Sequence, residues 1–491
     1  VTLRAGALLL GLICLERINM MLGTLDPAIG LYLHVAASWF GGHLPYVEAW
    51  EYKPPGLFAV YALGLRLVPV PVLAVQVLAI VASLAAALLV MRLGTAADPR
   101  RRAGTGLLAA LFFVMLSIED EGYNGDAEVL MTPFLAGALW LALAAPASWR
   151  IALGTGLLLG GALQMKLSAL PLIVVPLVTL VLRSRHRLRD GIVCLAASVA
   201  PFAGEAVLYA SAASLGAFVD ANVGATLRRA TGLRGGLLVR NLWEIPEHLR
   251  ILAPQLELAP LAFAYRNRYV VACGAWFAAA VVSIAAAGEY YPHQFVVVHA
   301  PVALLGALGL RWALDASGAS RRTARGVAIA ALLLTFGLHD YYQVVHAGRV
   351  IVARSRGIAT STGADEPAVV QAIRATGLAR DGLFLIQQSP YIYDELGVAA
   401  PTRFAYTDHL LDLRMTSMTG VDARRELSRI FDSRPAIVSI GDLTAPQLDP
   451  SLVALVRGRL ARDYVARRDA AGVTLYRLRA HQSLPSRSST K

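Results

Sequence analysis

Long apolar runs alternate along the chain with short polar gaps. A membrane-crossing helix needs about 17–25 mostly apolar residues. The runs at roughly 3–22, 71–92, 103–119, 127–145, 150–165, 167–183, 191–211, 248–265, 269–287, 293–312 and 324–342 meet or approach that length. The pattern predicts a mostly α, polytopic membrane protein of about eleven transmembrane helices. The run 56–68 is shorter and is bracketed by Pro54, Pro55, Pro69 and Pro71, so it predicts a helix half-inserted at the outer interface. Residues 29–40, ended by Gly41-Gly42, have the same character, and both are expected to rest on the bilayer. After Tyr342 the pattern becomes mixed. Gly382-Leu383-Phe384-Leu385-Ile386, 435–440 and 473–478 read as strands and 422–431 as a helix. Such alternation predicts a small α/β domain with a parallel sheet. The expected division is a transmembrane domain over 1–344, an extracytoplasmic α/β domain over 345–480 and a disordered, Ser-rich tail over 481–491.

Composition sharpens this reading. The 491 residues are 56% hydrophobic and 16% charged, against about 25% charged in a soluble domain. Mean hydropathy is +0.56. A net charge of +12 would suit a nucleic-acid partner, but the arginines bunch in the gaps between apolar runs, which excludes that reading. The clusters are Arg92 with Arg100, Arg101 and Arg102; Arg183, Arg185, Arg187 and Arg189; Arg266 and Arg268; and Arg311 with Arg321, Arg322 and Arg325. With all four cytoplasmic, as the positive-inside rule requires, parity puts 23–70, 119–126, 212–247, 288–292 and the C-terminal region outside. The N-terminal run has no small-residue cleavage site after it, so it is expected to be a retained span. Cys14, Cys194 and Cys273 lie far apart in apolar runs, with no metal or disulfide spacing.

The candidate chemistry falls on the outer side. Asp26 stands just past the first span beside Pro27, either as a helix cap or as an acid with a function. Asp126 and Glu128 close the acidic stretch 119–128, where a carboxylate at the start of a helix is favoured by the dipole. Lys53 is held in place by the two prolines after it. Lys166 has no acidic residue within 162–175, and intramembrane cations of this kind point to function. His293, in Tyr290-Tyr291-Pro292-His293-Gln294, could donate to an anion. Arg228, Arg229, Arg234 and Arg240 break the positive-inside pattern, as arginines that dock a phosphate would. The two external carboxylate sites could hold a divalent ion, although no ligand spacing demands one. An outer face with anionic and cationic halves suits transfer of a group from a phosphate-bearing lipid. The alternative is a lipid or sugar transporter or flippase, but the inverted repeats and broken helices of transporters are not apparent.

The order Asp26, Leu44-Pro45-Tyr46, Lys53-Pro54-Pro55-Gly56, an acidic second loop ending at Glu128, Lys166 and Tyr291-Pro292-His293 resembles the GT-C glycosyltransferases. The resemblance covers roughly residues 5–345, and within that family it points to bacterial relatives of the protein O-mannosyltransferases and lipid A aminoarabinose transferases. It implies a glycosyltransferase of the bacterial inner membrane that takes sugar from a polyprenyl-phosphate donor to a lipid, polysaccharide or protein acceptor, among membrane lipids. It further implies Asp26 as the essential acid, Glu128 or Asp126 as the acid of the second loop, and Lys53 at a phosphate. Tyr46, Lys166 and His293, together with Arg228, Arg229 and Arg240 from the loop outside the positive-inside pattern, are the further candidate substrate contacts. The sequence departs from the family where Pro27 follows the first Asp and where Gln294 follows His293.

Overall fold

The computed structural model describes residues 2–21, 26–232, 245–355, 366–468 and 473–479. The chain forms two compact units. One comprises Val1–Gly23, Lys53–Ala213 and Arg234–Ile358; the other comprises Thr24–Tyr52, Ser214–Leu233 and Ala359–Lys491. Asn19 and residues 342–344 are helical.

Among its described residues the first unit contains helices and no strand. Its elements are α1 (Thr2–Glu16) and α2 (Ile18–Met21), followed in the chain by α3 (Pro27–Phe40), which belongs to the second unit, then α4 (Pro55–Leu67), α5 (Pro71–Ala97), α6 (Ala103–Leu116), α7 (Ala127–Ala144), α8 (Trp149–Met165), α9 (Leu170–Arg183) and α10 (Arg187–Ser211). After α11 (Leu215–Val219) and α12 (Ala225–Gly232) of the second unit come α13 (Ile245–Ile251), α14 (Ala253–Ala262), α15 (Arg268–Ala287), α16 (Val296–Ala316) and α17 (Arg321–Ser355). Helices start where the sequence pre-sets them. Pro55 and Pro71 occupy first-turn positions, where a missing N–H is harmless. The Asn267 side chain accepts from the N–H groups of Tyr269 and Val270 at 3.0 and 3.1 Å to cap α15.

Among the described residues, five helical segments are long and apolar enough to cross a membrane: Pro71–Ala97, Ala127–Ala144, Arg187–Ser211, Arg268–Ala287 and Pro292–Ala316. Pro55–Leu67, Ala103–Leu116 and Leu167–Arg183 are shorter and apolar. The protein is therefore a mostly helical, polytopic membrane protein with a small sheet. The helices pack through small residues, as in membrane interiors. A Cβ on Gly309 of α16 would lie 1.8 Å from the Leu258 carbonyl of α14, so only glycine allows that crossing. Helix α17 runs through the boundary expected at 344.

The second unit contains β1 (Leu383–Ile386), β2 (Ile437–Ile440), β3 (Tyr464–Arg468) and β4 (Thr474–Leu478) in the order β1-β2-β4-β3. The sheet is mixed, which corrects the parallel sheet expected from strand–helix alternation. Only β1 and β2 are parallel; β4 runs antiparallel to both β2 and β3. The physical reason is the connection. Only residues 469–473 separate β3 from β4, too few for the crossover that a parallel pair needs. Helices α18 (Glu366–Thr376), α19 (Tyr391–Leu396), α20 (Asp408–Leu411), α21 (Ala423–Asp432) and α22 (Pro450–Asp463) complete the domain. Its core gathers Val369, Ile373, Leu383, Leu385, Tyr393, Ile437 and Leu475. The disordered tail expected over 481–491 lies outside the described residues.

Helix α3 was expected to rest on lipid with one face. Instead, positions 29–36 are all buried and α3 packs on α19. His34 Nδ1 lies 2.6 Å from the Asp394 carboxylate, and the backbone N–H of Trp50 donates to the Arg403 carbonyl at 2.8 Å. The apolar face that suggested lipid contact is used for protein contact within this unit.

Candidate functional site

Lys53-Pro54-Pro55-Gly56 has a local cause. Pro55 opens α4, and the Gly56 N–H donates to Gln164 Oε1 at 2.8 Å. A Cβ on Gly56 would come 2.6 Å from Gln164 Oε1 and 2.7 Å from its Cβ, so glycine lets the start of α4 seat on the end of α8. This contact brings Lys53 to the part of the first unit that holds Lys166, the residue just past α8.

Lys166 pairs with Glu128 in the first turn of α7, and both side chains are buried. Lys166, with no acidic residue near it in sequence, finds one 38 positions away. Glu128, anticipated as an acid of the second loop, is the counter-charge of a buried lysine. Lys53 and His293 stand near enough to Glu128 to act on it electrostatically. The structure thus brings together four of the anticipated residues, Lys53, Glu128, Lys166 and His293.

The acidic loop before α7 is fixed from many directions. Asp120 and Glu121 both have positive φ, 53° and 61°, a left-handed conformation that non-glycine residues hold only when their surroundings impose it. Asp120 lies 2.5 Å from His248 Nδ1 on α13 and 2.9 Å from His299 Nε2 on α16. Burial pushes the Asp120 carboxyl up, but the hydrogen bonds and charge of the two histidines outweigh it and hold it below the usual aspartate range. Glu119 pairs with His339 of α17 at 3.0 Å and Glu121 with His293 at 3.3 Å. Arg17, between α1 and α2, donates to the carbonyls of Gly122 and Tyr123, both at 2.9 Å, and to Ser83 Oγ at 3.1 Å. The Tyr61 hydroxyl donates to the Gly125 carbonyl at 2.7 Å.

One face of this loop could hold a metal. Ligand atoms of Glu121, Asp126 and His293 lie within 4.8 Å of one another. Two carboxylates and an imidazole suit a small divalent ion such as Mn²⁺ or Zn²⁺. Asp126, anticipated as an acid, and His293, anticipated as a donor to an anion, meet here with Glu121. The Tyr291 ring stacks on His293 with centroids 5.5 Å apart, fixing the imidazole plane.

Asp26, Tyr46, Arg228 and Arg229 belong to the second unit. Asp26 caps α3, accepting from the Ala28 N–H at 2.8 Å. Tyr46 is fully buried, with φ of 74° and its ring centroid 6.4 Å from that of Phe218. Arg228 donates to Asp220 at 2.7 and 3.1 Å and to the Met418 carbonyl at 3.0 and 2.9 Å, and so ties two segments of the unit together. The Arg229 guanidinium lies 5.5 Å from the centre of the Tyr52 ring. Arg234 and Arg240 lie outside the described residues.

Sequence reasoning missed Arg17, Gln164, His248, His299 and His339. A signal was present for most of them. Each of these charged or titratable groups stands in or beside an apolar run, where an ionisable side chain is costly unless paired. The acidic stretch supplies the partners.

No protein-family model and no curated protein matches this chain. Among solved structures, it is similar to ArnT from Cupriavidus metallidurans bound to undecaprenyl phosphate, with a TM-score of 0.61, 14% identity and 97% of each chain covered. The apo state of the same protein gives a TM-score of 0.60 at 15% identity, covering 99% of this chain and 100% of that one. A weaker likeness, at a TM-score of 0.47 and 12% identity, is to the oligosaccharyltransferase AglB from Archaeoglobus fulgidus, covering 98% of this chain and 75% of that one. The ArnT likeness covers 97% or more of the chain and shows its fold: it is the GT-C fold that ArnT has.

Proposed function

We propose that the protein is a membrane glycosyltransferase that moves a sugar from a polyprenyl-phosphate donor to an acceptor at the outer face of a bacterial inner membrane. In this reading the helical unit spans the membrane about eleven times and the sheet-containing unit is extracytoplasmic. The observation that carries it is the meeting of Lys53, Lys166 and His293 with Glu128, Asp126 and Glu121 at one end of the helical unit. ArnT, whose fold the chain shares, binds undecaprenyl phosphate, a ligand with the phosphate that such cations suit.

In this mechanism Lys53 and Lys166 face the phosphate of the donor and stabilise the negative charge on the departing oxygen. A phosphate is already a good leaving group, so no general acid is needed. Glu128, tied to Lys166, orients the ammonium and takes no substrate proton. Glu121, Asp126 and His293 would hold a divalent ion, which would supply further positive charge to the phosphate. Asp26 is the candidate general base for the acceptor hydroxyl; the family resemblance carries that role. In-line attack would invert the anomeric carbon.

The test is transfer of labelled sugar by the purified, reconstituted protein from a panel of polyprenyl-phosphate sugars to envelope extracts. Release of sugar from at least one donor, lost by about 100-fold in Lys53→Ala and Asp26→Asn, is expected. Transport of an intact donor without cleavage would replace the transferase reading with a flippase.

A further inference from the structure

At the other end of the same helices lies a second charged site. Helix α6 leads from it to the acidic loop, and α16 joins the two ends over 21 residues, a rise of about 30 Å. Here a cavity of about 750 Å³ is lined by Arg100, Arg102, Arg311, Arg321, Arg325 and Asp315. The size is that of a small-ligand pocket.

The local carboxylates do not account for all five arginines. Arg102 is satisfied by Asp98 at 2.7 Å and Asp315 at 2.6 Å, and Arg311 pairs with the same Asp315. Arg100 reaches Asp315 only at 3.6 Å, with its side chain 71% exposed. Arg321 and Arg325 have no ion-pair partner among the described residues, and the buried Arg311 Nε makes no hydrogen bond there. Arg321 and Arg325 stand one turn apart on α17, where like charges repel. They also occupy the first turns of a long helix with no acidic residue in its first turn, the positive end of its dipole. An anion between them would remove both penalties.

The surroundings indicate that this anion carries an apolar tail. Further along α17, Ile329, Leu333 and Leu334 are 57%, 66% and 57% exposed, as side chains facing acyl chains would be. A largely apolar cavity of about 550 Å³, lined by Met91, Leu107 and Trp140 with Arg92 and Arg101 also at its wall, adjoins the charged one at Gly104. A soluble phosphate would have no use for either feature. Basic pockets between membrane helices take lipid head groups in this way.

We propose that this arginine-lined cavity binds the phosphodiester head group of an anionic phospholipid, separately from the candidate donor site. The head group sits among Arg100, Arg321 and Arg325, and an acyl chain lies along α17 or in the adjoining apolar cavity.

The experiment is native mass spectrometry of the full-length protein with phosphatidylglycerol, phosphatidylethanolamine and inorganic phosphate as separate arms. The expected result is retained phosphatidylglycerol in preference to phosphatidylethanolamine. Arg321→Gln/Arg325→Gln should weaken retention by roughly 25-fold, about fivefold per arginine near an anionic lipid. An Arg185→Gln/Arg187→Gln control should leave it unchanged. Should the α17 variant fail to fold, Arg100→Gln, at an exposed side chain, takes its place with about a fivefold loss. No preference for the anionic lipid, equal loss in the control, or unchanged retention in the arginine variants would overturn the proposal. Inorganic phosphate binding with the same arginine dependence, without lipid retention, would overturn the lipid assignment. Because the readout is lipid binding, it is independent of whether the protein transfers sugar.

Discussion

Replacing Lys166 by methionine keeps an apolar stem of similar length but strips the partner from a carboxylate that is 2% exposed. Breaking a buried pair in this way costs about 3–5 kcal/mol. The orphaned Glu128 can limit the loss by taking up a proton. From an ordinary glutamate value, protonation costs about 3.5 kcal/mol at pH 7 and about 1 kcal/mol at pH 5. Lys166→Met should therefore destabilise the protein by about 3.5 kcal/mol at pH 7 and by only about 1 kcal/mol at pH 5. The double variant Glu128→Gln/Lys166→Met removes both charges and should lie within about 1–2 kcal/mol of the wild type, since an apolar replacement of a buried pair is often neutral. Thermal unfolding of the purified protein in detergent at both pH values measures this as shifts in Tm. A single variant that melts like the wild type at pH 7, or whose penalty is the same at pH 5, would refute the pairing argument. So would a double variant less stable than the single one. Activity separates structure from chemistry: if Lys166 faces the donor phosphate, the double variant regains stability but not transfer.

Three other perturbations test neighbouring parts of the argument. Gly56→Ala should cost about 1–3 kcal/mol through overpacking against Gln164, and Gln164→Ala in the same chain should recover part of the lost Tm. Glu121, Asp126 and His293 should bind Mn²⁺ or Zn²⁺ in titration calorimetry, with affinity falling at least about tenfold in His293→Ala; a wild type that binds neither ion would remove the site. In the second unit, burial, opposed by the Ser389 hydrogen bond and reinforced by the Glu395 charge, pushes the Glu366 carboxyl up to about 7 from its ordinary 4.5. The folded unit thus holds a proton that the unfolded chain releases, and stability should fall as pH rises from about 4.5 to about 7, by up to about 3 kcal/mol. Glu366→Gln should flatten that slope, read by hydrogen exchange of the β1 and β2 amides.

Much of the architecture could be read from the chain as written. Apolar runs of membrane length are a local property, and each expected span has a helical counterpart in the structure, though several are shorter than a full crossing. The strands over 382–386 and 435–440 were visible as short apolar runs and that over 473–478 as an alternating one. The strand Tyr464–Arg468 was not, because it is mostly exposed and charged and its place depends on pairing with Thr474–Leu478. The acid and base residues of the first unit were also visible, since ionisable groups beside apolar runs stand out by their cost.

Sequence by itself determined which residues are expensive to place in a membrane: Lys53, Glu128, Lys166, His293 and the acids of the second loop. Only the tertiary structure decided how that expense is met. It joined Lys166 to Glu128 across 38 positions, distributed three consecutive acids among His248, His293, His299 and His339, and committed Arg228 to Asp220 and Met418. The physical reason is that desolvation is a property of one side chain and its surroundings, legible from composition. Pairing is a property of distance between side chains, and the chain sets those distances only by folding.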